Sequence, residues 1–245
     1  MEMLMDNLRG IYYIAFKDLR AYYFKAPNIS WGILFPFAFI LAFAIRNSGD
    51  PRDLVPGLLG LTILFGTSSM EAIVIVFEKR IGALERLVLA PISLYALMAG
   101  KLIGGMVFGL TVTGVVLAVV LTIFGASSVN WLLLILALLL SAAAFSTLGA
   151  VVSVAVHEIF DAQTLANVFR FPMMFLGGVF VPLTSMPSIL QVIARFLPLT
   201  YSFEMLHIAL LGGSLGTAWM DLTALAGFSI MMFILAVRIL ASRLE

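Results

Sequence analysis

The sequence has no cysteine, only two histidines and little charge: 11% of its 245 residues are Asp, Glu, Lys or Arg. Without cysteine there are no disulfides, no thiolate nucleophiles and no Cys-ligated metals. The scarcity of charge excludes an ordinary soluble domain, where roughly a quarter of residues are charged and about half are apolar. Here 62% are hydrophobic and the mean hydropathy is +1.14. A net charge of +1 carries no message about nucleic acid, so the placement of charge matters more than its sum. No internal repeat, linker or low-complexity tract interrupts the chain.

Long apolar runs take up that space. A bilayer core needs about 20 mostly apolar residues per helix, and residues 29–45, 54–77, 102–124, 131–156 and 221–240 each supply such a run. A sixth begins at Phe171-Pro172 and reaches Pro187, with room for its helix to start earlier, inside DAQTLANVFR. The expected fold is an all-α polytopic membrane protein: one permease-sized domain, 1–245, with six transmembrane helices. Residues 188–211 are apolar but broken by Arg195, Pro198, Glu204 and His207. They are read as an extracytoplasmic re-entrant helical segment. Of the 14 Lys and Arg, all but Arg46, Arg52 and Arg195 fall on one side of this arrangement, Arg170 among them. The positive-inside rule then places both termini and the loop after the second span in the cytoplasm.

Residues 1–27 carry their own pattern. Asp6, Arg9, Tyr13, Lys17 and Arg20 recur at helical spacing, with Leu8, Ile11, Tyr12, Ala15, Leu19 and Tyr22 opposite. Such a helix lies in the membrane interface. Polar residues break this stretch before any apolar core forms, so it is not read as a signal peptide.

The scarce charge is concentrated in FEKRIGALERLVLAPISLYALMAGK, Phe77 to Lys101. Ile81, Leu84 and Val88 line one helical face, and Glu78, Lys79, Gly82, Glu85 and Arg86 the other. A short amphipathic helix over 78–90 is expected. It serves either as a connector on the headgroups or as a docking surface, with mixed charges for register and Gly82 for close backbone approach.

This segment, 78–100, resembles the coupling segment of permease subunits of type 2 ATP-binding-cassette transporters, E-x-x-x-G-[ST]-L-E-x-L followed by Pro and then Gly-Lys. Glu78, Gly82, Leu84, Glu85, Leu87, Pro91, Gly100 and Lys101 match, and Ala83 departs from the usual small hydroxyl residue. LPLTYSFEMLHIALLGG resembles the family's stretch before the last span, with His207 where an Arg is common. The resemblance implies a homo- or heterodimer of permeases in the cell inner membrane, bound to ATP-binding-cassette ATPase subunits and exporting drugs, lipids or glycoconjugates. It assigns the contact with the ATPase to Glu78, Lys79, Gly82, Leu84, Glu85 and Arg86. The chain is expected to bind no cofactor itself; ATP belongs to the partner. Gly100-Lys101 is no phosphate loop, because Leu follows the lysine and the upstream glycine is missing.

Within the second span, Glu71 is an intramembrane carboxyl, costly and functional by default. With Thr67 and Ser68 it is a candidate for the translocation path, or else a hydrogen-bonded packing group. Two other classes compete. An ion-coupled transporter using Glu71 and Asp221 would show discontinuous spans in paired halves, and none is evident. An intramembrane metalloprotease is suggested by His157 and Asp161 at i, i+4, and by His207. There is no H-E-x-x-H, and the two histidines fall on opposite sides of the membrane.

Overall fold

The computed structural model describes residues 2–46, 51–125, 129–211, 214, 216 and 218–243, and every element among them is helical. The order is α1 (Glu2–Asp18), a π-turn (Leu19–Tyr23), α2 (Ala26–Arg46), α3 (Val55–Arg80), α4 (Ala83–Val88), α5 (Leu94–Phe124) and α6 (Trp131–Ala155). It continues with α7 (Ile159–Leu176), α8 (Ser188–Ala194), α9 (Pro198–Leu210) and α10 (Trp219–Ser242). Short 3-10 turns at Pro51–Leu54 and Leu183–Ser185 complete it.

Helix boundaries follow local chemistry. Ser93 caps α5 by accepting the Ala96 N–H, and Asn130 caps α6 by accepting the Leu133 N–H. Pro56 stands in the first turn of α3, where its missing N–H costs nothing. Since α3 is apolar all round, it takes the centre of the bundle. Towards one end it packs Leu59, Ile63 and Leu64 against Leu133, Phe145, Leu199 and Leu206. Towards the other end, Ile75 meets Ile14, Leu97, Met98, Val237 and Leu240.

Among the described residues, four helices are long and apolar enough to cross a membrane: Arg52–Arg80, Leu94–Ile123, Trp131–Ala155 and Trp219–Ser242. They coincide with four of the expected spans. α2 covers the expected first span in 21 residues. α8 and α9 meet at an 86° bend and count as a fifth candidate if they form one span. The expected span at 171–187 is not one helix. α7 starts at Ile159 and stops at Leu176, because Gly177 caps it (N–H to the Met173 carbonyl, 2.7 Å) and Gly178 turns the chain at φ 84. Pro172 therefore lies inside a helix rather than opening one.

The N-terminal helix has a different buried face from the one its sequence suggests. Ile14, Ala15 and Asp18 are buried, whereas Leu8, Tyr12 and Phe16 stay exposed beside Arg9 and Arg20. α1 thus presents one face to α5 and leaves a separate aromatic stripe uncovered.

Candidate functional site

At the end of the bundle that carries α4, α3 runs on through Glu78 to Arg80 and the chain turns at Ile81-Gly82. Gly82 has φ 68, the left-handed region, and α4 follows for six residues. The expected single helix over 78–90 is therefore two pieces. Gly82 is favoured by that backbone conformation, and within the chain a Cβ there would meet only Glu85 Oε2 at 3.9 Å. Leu84 is buried among Ile14, Leu97 and Val237 and roots the short helix. Ile81, Glu85, Arg86 and Leu89 are exposed, Leu89 at 86%. Lys79 donates to the Val156 carbonyl at 3.1 Å, tying the turn to the α6–α7 connection.

Glu78 does not share that surface. It is fully buried and accepts from both Lys17 and Lys101. Lys101 Nζ also donates to Asp18 Oδ2 at 2.8 Å, and Lys17 Nζ lies 3.1 Å from Asp18 Oδ1. Two carboxylates and two ammoniums thus meet from α1, α3 and α5, and their charges cancel. Burial pushes the Asp18 carboxyl above its ordinary range, against the opposing pull of Lys101. Gly100 and Gly104 let α1 come this close. A Cβ on Gly100 would lie 3.0 Å from the Ile11 carbonyl, and one on Gly104 would lie 3.3 Å from the Tyr23 ring. The Gly-Lys pair read from the sequence is therefore a helix contact followed by a buried, ion-paired lysine.

One layer deeper, the π-turn changes where Tyr23 points. On a regular helix Tyr23 would share the exposed face of Tyr12 and Phe16; the wider turn brings it inside. Its hydroxyl donates to Glu71 Oε2 at 2.8 Å. Gly105 and Gly149 close around this carboxyl. A Cβ on Gly105 would run into Glu71 Oε2, and one on Gly149 would lie 2.7 Å from the Ser68 carbonyl. Thr67 and Ser68 return their hydroxyls to the carbonyls of Ile63 and Leu64. All three expected path residues are buried where α3 crosses α5 and α6, and they are not in the lining of either of the two cavities described below.

The cavity-facing side of α3 is one residue round. A cavity of about 390 Å³ lies between α2, α3, α5 and α7, lined by Phe65, Ser69, Met70, Gln163, Asn167 and Arg170 among others. Arg170 is 1% exposed. Its Nη1 donates to Ser69 Oγ at 2.7 Å and to Asn167 Oδ1 at 3.2 Å, and its Cζ stands 5.5 Å from the Phe65 ring centre. The sequence reading counted Arg170 among cytoplasmic charges. Because α7 starts at Ile159, Arg170 lies roughly 16 Å into the bundle at 1.5 Å per residue. Gln163, Asn167 and Arg170, at i, i+4 and i+7, form a polar stripe that was visible in the sequence and went unread.

A second cavity, about 630 Å³, opens at the far end beside Arg195, Glu204, His207 and Asp221. The histidines stay apart. His157 Nε2 lies 2.9 Å from an Arg243 nitrogen, and His207 packs its ring against Phe203. Among the described residues no three His, Asp or Glu side chains gather as metal ligands would.

Residues 10–211 match the family model described as ABC-2 type transporter. The inner membrane transport permease YadH of Escherichia coli is 28% identical over 159 residues, which is 65% of this chain and 62% of YadH. Nodulation protein J of Sinorhizobium fredii is 38% identical over 82 residues, 34% of this chain and 30% of that protein. Nodulation protein J of Rhizobium leguminosarum bv. trifolii is 33% identical over 122 residues, 47% and 45% respectively. The chain thus spans less than two thirds of the length of these relatives. Taken with its four membrane-length apolar helices, the match shows that the chain is a membrane-spanning member of the ABC-2 type transporter family.

Proposed function

We propose that the chain is the transmembrane subunit of an ATP-driven exporter in the cell inner membrane. It moves a hydrophobic or amphipathic cargo (a drug, lipid or glycoconjugate) with energy from separate ATP-binding-cassette ATPase subunits. It pairs with a second permease copy and keeps both termini in the cytoplasm. It crosses the membrane six times, counting α2 and α7, while 188–211 dips in from the outer face. YadH, a relative, is itself named an inner membrane permease, and permeases of this family normally work with ATPase partners.

The observation that carries this reading is the geometry of α4. A six-residue helix hinged on Gly82 presents Ile81, Glu85, Arg86 and Leu89, while Leu84 fixes it to the bundle. Glu78 and Lys79 act behind that surface. The ion cluster joins the end of α3 to α1 and α5, so a push on α4 moves three elements together. Thr67, Ser68 and Glu71 set the position of the cavity wall from its far side.

Co-expression with the cognate ATPase tests the reading. Gly82→Trp combined with Glu85→Lys should abolish co-purification and cargo-stimulated hydrolysis while the permease stays folded in the membrane. Full binding and hydrolysis by that variant would overturn it. Single cysteines introduced into this cysteine-free chain report the topology, and labelling of position 83 from outside would invert it.

A further inference from the structure

We propose that the cavity between α2, α3, α5 and α7 binds the anionic end of an amphipathic molecule, held by the Arg170 guanidinium. Of the three guanidinium nitrogens, Nη1 is hydrogen-bonded, while Nε and Nη2 are buried with no partner among the described residues. Among the described residues no Asp or Glu lines the cavity, and the cation has no carboxylate partner there. A buried arginine normally gains a carboxylate or a full set of acceptors, because an unmatched charge away from water is strongly disfavoured. Nε and one Nη form the fork that takes two oxygens of a phosphate, sulfate or carboxylate.

Two further features narrow the ligand. Gln163 Oε1, on the same face of α7, is a third buried atom at this cavity without a partner among the described residues and requires a donor. A ligand with a hydroxyl beside its anionic oxygens would satisfy both. The other walls are largely apolar, with Phe65, Met70, Ile73 and Phe108 beside the single amide of Asn28, and Phe171 at the rim is 39% exposed. A volume of about 390 Å³ holds a headgroup and not its tails, so the tails would leave past Phe171. The site deepens the export reading by naming a cargo class, yet binding itself needs no ATPase.

The delipidated full chain in dodecyl maltoside should bind dioctanoyl phosphatidylglycerol at least tenfold more tightly than dioctanoylglycerol, which lacks the phosphate. Arg170→Gln should remove that preference. Asn167→Asp places a carboxylate within reach of Nη1 with almost no change in volume. It should remove the preference while raising Tm, so a folding defect cannot mimic the result. Competition by tail-free glycerol 3-phosphate at similar concentration would make the ligand a soluble anion. Failure to compete would make it an amphiphile headgroup. Equal binding of the two dioctanoyl compounds, or an unchanged preference in both variants, would overturn the site and leave the coupling test untouched.

Discussion

Two of the places where this bundle buries ionisable side chains are built to opposite rules. At the α4 end, Lys17, Asp18, Glu78 and Lys101 arrive from three helices and cancel one another. In the wall between α3 and α7, Arg170 is as deeply buried but, among the described residues, meets Ser69, Asn167 and the Phe65 face with no carboxylate. A self-neutral cluster fixes helices in one register. A lone cation stores an unmet demand that a molecule from outside can meet. The difference separates a fastening from a receptor, although both read as single charges in apolar surroundings.

The largest effect should come from breaking the fastening. Lys101→Met leaves Glu78 and Asp18 buried without their shared ammonium, a loss of about 3–5 kcal/mol. Little folded protein should survive detergent extraction, as judged by size-exclusion chromatography. Adding Glu78→Gln and Asp18→Asn to the same chain should recover most of it. If the triple variant is no better than the single one, the cluster is not coupled as its geometry indicates.

Next comes the helix crossing behind the cavity. Gly149→Val sets a side chain against the Ser68 backbone, 2.7 Å from its carbonyl at the Cβ. Helices α3 and α6 must separate, at about 1–3 kcal/mol, with a lower Tm by nano-scale fluorimetry. Equal Tm would mean that this junction yields.

The receptor side moves the other way. Asn167→Asp gives Arg170 a charged partner, and a charge-assisted hydrogen bond contributes about 1.5–3 kcal/mol. Tm should rise in the absence of ligand. A fall would mean that the guanidinium is already matched, and the contrast between the two places would collapse.

Smallest in stability is Glu85→Lys. Its side chain is exposed, so stability should change by no more than about 0.5 kcal/mol and Tm should barely move, while ATPase association weakens. A large drop in Tm would show that α4 is held by more than Leu84.

Much of this was legible in the sequence, because apolar runs and caps are local. Ser93 and Asn130, for instance, start their helices through bonds three residues away. Gly82 stands out in the sequence as a small residue on a charged face, but its positive φ leaves no trace in composition. Glu78 was assigned to a surface because its neighbours Lys79 and Arg80 are charged. Its actual partners lie 61 and 23 residues away in sequence. Arg170 was misplaced because its helix begins earlier than its apolar run. Glu71 was noticed as costly, yet its hydroxyl donor, Tyr23, is delivered by a π-turn that no periodicity predicts.

The ion cluster also orders events during synthesis. Lys17 and Asp18 leave the ribosome early, but Lys101 follows 83 residues after Asp18. At roughly 5–20 residues per second, several seconds pass in which Asp18 lacks its buried ammonium, even after Glu78 has emerged to meet Lys17, and α1 must stay at the wetted surface. Docking of α1 is therefore a late step, possible only after α3 and α5 are both inserted. A nascent chain arrested before Lys101 should leave its first helix open to protease, and a chain released just beyond α5 should protect it.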